Sequence, residues 1–124
     1  WLLREDAVNL NAVRKFCAAM PHATADIKWG ADYVYSIGGR MFAVAFQSDT
    51  HGTFVSFKVD DDLFLSMTAR EGIIPAPYLA RARWVQVTDL DKVSSVELKA
   101  LIRRSYELVS MKLTRKQRSA LGLL

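Results

Sequence analysis

The residue types that most often perform catalysis are scarce in this 124-residue sequence. The two histidines, His22 and His51, stand far apart, and neither has a cysteine or carboxylate at the spacing of a catalytic triad or a zinc site. Cys17 is the single cysteine, so it can form neither an internal disulfide nor a two-thiolate metal site. Gly38-Gly39 lacks the further glycine and the Lys-Ser/Thr pair of a phosphate-binding loop. We therefore predict no catalytic residues, no metal, no bound cofactor and no enzymatic activity.

The sequence is richer in groups that bind anions, and these are concentrated at its end. Lysine and arginine total 17 against 13 aspartate and glutamate, which gives a net charge of +4 at pH 7. Residues 1–98 are slightly acidic on balance, whereas residues 99–124 carry seven cations and a single carboxylate, that of Glu107. A segment of this kind indicates a nucleic acid or another acidic partner. The alternative is that the cations only offset the dipole at the end of a C-terminal helix.

Several basic residues also stand close to aromatic ones, as in Arg83-Trp84 and in Arg104 near Tyr106. Lysine and arginine supply phosphate contacts, and aromatic rings can stack on nucleic-acid bases. In a small protein, however, the same rings also fill the hydrophobic core. A cation on a strand, such as Lys58, can simply face water. Composition alone leaves both interpretations open.

Near the N-terminus, apolar residues recur at helical spacing. This stripe comprises Val13, Phe16, Cys17 and Met20. It predicts a helix that is capped near Asp6 or Asn9 and ended by Pro21. Cys17 lies on the buried stripe, where we expect it to act as a small hydrophobic residue.

Between Thr24 and Val59 the apolar residues alternate with a period of two, which is typical of strands. Gly38-Gly39 separates two alternating runs and predicts a tight hairpin, because such turns need positive φ angles. Asp49–Gly52 marks a second turn, and Thr24–Trp29 predicts a further strand. We expect an antiparallel meander of three or four strands with one apolar face.

Asp60-Asp61-Asp62 predicts the start of a second helix, in which Leu63, Phe64 and Met67 are buried. At a helix start, carboxylates cap free N–H groups, and no second acidic cluster completes an oxygen-ligand set for calcium. Two prolines within residues 73–78 then indicate a rigid extended linker.

The remainder of the sequence predicts one more strand and a long helix. Trp84–Val87 is short and rich in β-branched residues, so we expect it to be the last strand. Ser94 or Ser95 would cap the helix that follows, whose apolar side runs from Leu98 to Leu113.

The outward side of this long helix is charged. Glu107 stands four residues after Arg103, and we expect the two to form an ion pair. Thr114 predicts the start of a further short helical turn, which ends at Gly122.

The order helix, strands, helix, strand, helix predicts an α+β two-layer sandwich, in which an antiparallel sheet is packed against N-terminal, middle and long C-terminal helices. No linker or repeat divides the chain, so we expect residues 1–124 to form a single domain. No apolar run approaches the roughly 20 residues of a membrane helix, and no signal peptide is recognisable. With one cysteine, the chain suits a reducing compartment, and we expect a cytoplasmic protein.

Six segments follow one another in a specific order: Lys28-Trp29-Gly30, Gly39-Arg40-Met41-Phe42-Ala43, Val55-Ser56-Phe57-Lys58, Gly72-Ile73-Ile74-Pro75-Ala76-Pro77-Tyr78, Arg83-Trp84-Val85, and Leu98 to Leu113 around Ser105-Tyr106. This combination resembles the MmcQ/YjbR family of small bacterial proteins, over nearly the whole chain from about Leu10 to Leu121. The resemblance implies a CyaY-like α+β fold, similar to that of frataxin. Members are often labelled as DNA-binding proteins, and they commonly have lysine where this chain has Arg40. An iron site of the frataxin kind needs an acidic first helix, whereas this helix carries Arg14 and Lys15.

The C-terminal charge and the resemblance together predict a non-enzymatic DNA-binding protein whose partner is double-stranded DNA. The residues predicted to contact phosphates are Lys58, Arg81, Arg83, Arg103, Arg104, Lys112, Arg115, Lys116 and Arg118. This interpretation requires the C-terminal cations to share one accessible side.

The alternative is a protein-interaction or small-ligand-binding module. Its partner would meet an exposed aromatic surface formed by Tyr33, Tyr35, Tyr78 and Trp84. This interpretation predicts an exposed apolar patch or a concave aromatic pocket, with the cations scattered.

Overall fold

The computed structural model describes residues 9–28, 32–48 and 52–122, which contain four α-helices and six strands. In chain order these elements are α1 (Leu10–Ala18), β1 (Thr24–Lys28), β2 (Asp32–Ile37), β3 (Arg40–Ser48), β4 (Gly52–Lys58), α2 (Phe64–Thr68), β5 (Ile73–Pro75), β6 (Trp84–Val87), α3 (Ser95–Ser110) and α4 (Arg115–Ala120). The predicted turn at residues 49–51 and the predicted strand residue Trp29 lie outside the described residues.

The six strands form one antiparallel sheet in the order β1-β2-β3-β4-β6-β5. Helices α1 and α3 pack on one face of this sheet. The largest buried side chains between the layers include Phe42 and Phe57 from the sheet and Leu98 and Ile102 from α3. The predicted α+β sandwich with N-terminal, middle and C-terminal helices is therefore confirmed.

The N-terminal helix forms as the sequence predicts. The Asn9 carboxamide oxygen accepts hydrogen bonds from the backbone N–H groups of Asn11 and Ala12, which have no partner within the helix. Cys17 is completely buried, and the desolvation raises the pKa of its thiol to about 12. The residue therefore acts as a small hydrophobic side chain at neutral pH.

The segment predicted to be a linker instead contains an edge strand. Ile73–Pro75 pairs with β6, and Ala76 continues the register by donating its N–H to the Trp84 carbonyl oxygen at 3.0 Å. An edge strand tolerates proline because one side of its backbone needs no sheet partner. Proline therefore does not prevent a strand here, but the strand can form only at an edge of the sheet.

The sheet also differs from the prediction of a single apolar face. Val34 and Val44 lie on the face away from the main core, where they pack with Ala76 and Trp84 in a second buried cluster. The chain between β5 and β6 crosses this outer face and covers part of it.

The predicted cap of the second helix is wrong, because the Asp60 side chain caps no helical N–H group. Its carboxylate instead accepts two hydrogen bonds from the Arg104 guanidinium, at 2.9 and 2.8 Å. Within the same region Met67 is buried as predicted and Phe64 is half-buried, but Leu63 is exposed. The Asp60 carboxylate thus pairs with Arg104, which is distant in sequence, instead of capping the helix that follows it.

Both C-terminal helices have side-chain N-caps. The hydroxyl of Ser94 accepts from the N–H of Glu97, and Thr114 and Gln117 form a reciprocal capping box. Glu107 pairs with Arg104 at 3.3 Å rather than with Arg103. Arg104 is already oriented by Asp60, so it is the guanidinium within reach of Glu107.

Candidate functional site

The site begins where two central strands stop pairing. The register of β3 and β4 runs from Ser48 opposite Gly52 to Ala43 opposite Phe57, and the next pair would be Phe42 with Lys58. The hydroxyl of Ser105 on α3 bridges these two residues instead. It donates to the Phe42 carbonyl oxygen at 2.7 Å and accepts from the Lys58 N–H at 2.9 Å. Because Ser105 is completely buried, its hydroxyl lets the strands separate without leaving those backbone groups unpaired.

A concave surface of about 260 Å³, which we call the basic groove, lies beside this separation. Its lining residues are Arg40, Met41, Lys58, Ala82, Trp84, Val109 and Lys112. Three of them are cations, and each comes from a different part of the fold. Arg40 begins β3, Lys58 ends β4, and Lys112 follows the last turn of α3.

Lys58 is the most buried of these cations, with 9% of its surface exposed. Its ammonium group donates a hydrogen bond to the Ala82 carbonyl oxygen. Desolvation lowers the pKa of Lys58, and the positive charge of Lys112 lowers it further. An ammonium group has three donors, so Lys58 keeps donors for an anion that enters the groove. Such an anion would also relieve the repulsion between Lys58 and Lys112.

The nearest carboxylates already have cationic partners. Asp60 is paired with Arg104, whose guanidinium lowers the pKa of that carboxyl group. Asp61 lies 3.6 Å from Arg83, whose guanidinium also stands 5.3 Å from the centre of the Phe64 ring. These pairs reduce the negative charge that would otherwise oppose an anion at Lys58.

The C-terminal cations predicted to contact phosphates have different partners in the structure. Arg104 is held by Asp60 and Glu107, and Arg118 donates to the carbonyl oxygens of Ser110 and Met111 at the end of α3. The Arg103 guanidinium lies 5.4 Å from the centre of the Phe16 ring on α1. None of these three cations lines the basic groove.

Of the other predicted cations, two line the groove and four are exposed on the surface of the protein. Lys58 and Lys112 line it. Arg83, in a left-handed conformation with φ of 64°, directly precedes the lining residue Trp84, and Arg81 lies exposed in the 3₁₀ helix Ala80–Ala82. Arg115 and Lys116 are exposed in the first turn of α4.

Arg40 was not among the predicted contact residues, although the structure brings it to Lys58 and Lys112. One feature of the sequence could have indicated Arg40. It directly follows the hairpin glycines, so it begins β3 at the end of the sheet where β4 ends. The convergence itself depends on the bridge through Ser105, which no local pattern reveals.

The predicted aromatic surface is split between the two faces of the sheet. Tyr33 and Tyr35 pack against the main core, and the Tyr35 hydroxyl accepts a hydrogen bond from Arg14 at 3.4 Å. Trp84 is buried on the outer face, whereas Tyr78 is fully exposed there. These four rings cannot form one surface for a partner.

Within residues 9–28, 32–48 and 52–122, no group of three or more histidine, cysteine or acidic side chains could hold a metal ion. No helix in this part of the chain is long and apolar enough to cross a membrane.

An open antiparallel sheet with helices packed on one main face places the protein in the α+β class. The YjbR family model matches residues 18–108, and the chain belongs to this family. A Deinococcus radiodurans protein with a DUF419 domain has a similar structure, with a TM-score of 0.80 and 29% sequence identity over 98% of this chain and 94% of that one. A Pseudomonas syringae protein has the same fold, with a TM-score of 0.69 and 19% identity over 82% of this chain and 99% of that one. The comparison with curated proteins found no match.

Proposed function

We propose that the protein is a non-enzymatic DNA-binding protein that holds backbone phosphates of a duplex in the basic groove. The observation that supports this proposal is the convergence of Arg40, Lys58 and Lys112 from three separate elements on one concave surface. Lysine and arginine are the usual phosphate ligands of nucleic-acid-binding proteins.

We propose that the first turn of α4 extends this cationic surface. Gln117 donates to the Gly38 carbonyl oxygen at 3.2 Å, and this contact holds α4 against the hairpin that leads into Arg40. Arg115 and Lys116 are exposed at the start of the same helix. A duplex that enters the groove would therefore meet further cations beside it.

The proposed contact set is smaller than the sequence predicted. Arg104 and Arg118 are engaged within the protein, and Arg103 packs over Phe16. With about three to five phosphate contacts, the logarithm of affinity should fall with the logarithm of salt concentration with a slope of roughly −2.7 to −4.5. This dependence is weaker than the one expected if all nine predicted cations took part.

The test measures binding to a short fluorescein-labelled duplex by fluorescence anisotropy, at about 50 and 200 mM salt. The double variant Arg40→Gln/Lys112→Gln removes two groove cations. We expect it to bind at least about tenfold more weakly at the lower salt concentration and to reduce the salt slope by about 2.

The double variant Lys99→Gln/Arg103→Gln is the matched control, since it removes the same charge from residues that face Phe16 on α1. Arg103 lines a separate concavity together with Phe16 and Tyr106, and it does not line the basic groove. We expect the control to retain affinity within about threefold. Equal losses in both double variants, or no binding by the wild type at low salt, would overturn the proposal.

A further inference from the structure

A second concave surface, distinct from the basic groove, lies on the outer face of the sheet. This outer cavity has a volume of about 630 Å³ and is lined by Asp32, Met41, Val44, Phe54, Ser56, Ala76, Pro77, Tyr78, Leu79 and Gln86. Its volume falls within the range of roughly 300–1,000 Å³ that is typical of small-molecule sites. The lining is mainly apolar, with a few polar groups, as in such sites generally.

The path of the chain between β5 and β6 explains why this cavity is open. The Leu79 N–H donates to the Ala76 carbonyl oxygen, and the Trp84 N–H donates to the Leu79 carbonyl oxygen, so the segment turns tightly above the sheet. This turn buries Ala76 and Trp84 against Val34 and Val44. Beside this turn, Phe54, Ser56 and Gln86 on the adjacent part of the sheet line the cavity.

Tyr78 lines this cavity and has an unusual backbone conformation, although its side chain packs against no part of the core. Its backbone has a φ of 66°, which is unfavourable for a residue with a side chain, and its side chain is fully exposed. The residue therefore bears local strain without burying its ring in the core. Its ring is available to cover a molecule in the cavity.

The charge of the lining defines the kind of molecule that fits. Asp32 is the single charged residue among the ten that line the cavity. None of the ion pairs between described residues includes Asp32, although Lys28 lies opposite it on β1. Phe54 and Tyr78 supply aromatic faces, which attract cations as well as apolar groups. Ser56 and Gln86 supply neutral hydrogen-bonding groups.

We propose that the outer cavity is a binding site for a small organic amine, in which an apolar or aromatic body packs against Phe54, Val44 and Tyr78 and a protonated amino group pairs with Asp32. A carboxylate-bearing molecule of the same size is disfavoured, because it would place a second negative charge beside Asp32. The outer cavity adjoins the basic groove at Met41, the single residue that lines both, and none of the groove cations lines the cavity.

The test titrates the full chain, labelled with nitrogen-15, with tryptamine and separately with indolepropionate, a matched carboxylate. We expect tryptamine to shift the amide signals of Ser56, Leu79 and Gln86 in a saturable manner at millimolar or lower concentration. Indolepropionate should bind at least about tenfold more weakly.

Two substitutions locate the contacts. Asp32→Asn should weaken tryptamine binding at least about tenfold, whereas the control Asp26→Asn, which makes the same charge change on exposed β1, should leave it unchanged. Tyr78→Ala changes a fully exposed side chain, so it leaves the fold intact and should weaken binding a few-fold. The proposal is overturned if tryptamine shifts none of these signals, if both indoles bind equally, or if Asp32→Asn has no effect. None of these results bears on DNA binding by the groove.

Discussion

Replacing Ser105 with alanine tests how the central strands are held apart. The substitution removes the hydroxyl that accepts from the Lys58 N–H and donates to the Phe42 carbonyl oxygen, both in the completely buried surroundings of Ser105. A buried polar group that loses its partner costs about 1–3 kcal/mol. With two such groups, we expect Ser105→Ala to lower the free energy of unfolding by about 2–6 kcal/mol.

The assay is equilibrium unfolding in urea, followed by circular dichroism and combined with thermal unfolding. A loss of about 3 kcal/mol corresponds to a decrease in Tm of roughly 10 °C for a chain of this length. Amide hydrogen exchange gives a local measurement, because the Lys58 N–H should exchange faster than its neighbours in β4.

Ser110→Ala is the matched control on the same helix. The Ser110 hydroxyl donates to the Tyr106 carbonyl oxygen one turn earlier, and this carbonyl also has a partner in the helical ladder. We expect this variant to change stability by less than about 0.5 kcal/mol. If Ser105→Ala lost less than about 1 kcal/mol, Phe42 and Lys58 would have paired directly, and the role assigned to the hydroxyl would be refuted.

Two further predictions concern an ion pair and a turn. Because Arg104 lowers the pKa of Asp60, this carboxylate stabilises the fold above the unfolded-state pKa of about 3.9, and the contribution is lost as the pH falls through the lower native pKa. Asp60→Asn should therefore have a lower Tm than the wild type at pH 7, and the difference should shrink as the pH falls below about 3.9. A difference in Tm that stays constant as the pH falls would contradict this. Gly38→Ala should be more destabilising in urea than Gly39→Ala by about 1 kcal/mol, since a Cβ at Gly38 would lie 2.7 Å from Leu113 Cδ2 whereas one at Gly39 has nothing within 4 Å. Equal losses would show that only their shared positive φ matters.

Much of the fold could be predicted because local patterns and tertiary structure agree. The stripe that contains Val13 and Cys17 has helical spacing, and the structure buries both residues. Gly38 and Gly39 have φ angles of 58° and 82°, as the predicted hairpin requires. In both cases the signal lies within a few neighbouring residues.

The predictions that were wrong depend on distant partners. Asp60 has the sequence features of a helix cap, but it binds Arg104, 44 residues further along the chain. Pro75 disfavours a strand by local propensity, yet it occupies an edge position where its missing N–H does no harm. Propensity cannot reveal where a sheet ends or which guanidinium a carboxylate will meet.

The same limit applies to the basic groove. The sequence indicated Lys58 and Lys112 among nine cations, but it gave no reason to group these two with Arg40. Their grouping follows from the separation of β3 and β4 at Ser105, which lies on an element far along the chain from both strands. A list of cations cannot show which of them the fold pairs internally, as it pairs Arg104 with Asp60 and Glu107.

The edge formed by β5 has a consequence for behaviour at high concentration. Ile74 and Ala76 direct their backbone N–H groups towards β6, so Ile73 and Pro75 are the residues whose backbone faces outward. The Ile73 N–H already donates to the Arg70 carbonyl oxygen, and proline has no N–H. A strand from another molecule would find no free donor along Ile73–Pro75 and could only donate to the outward carbonyl oxygens, so fibril growth by strand addition is disfavoured at this edge.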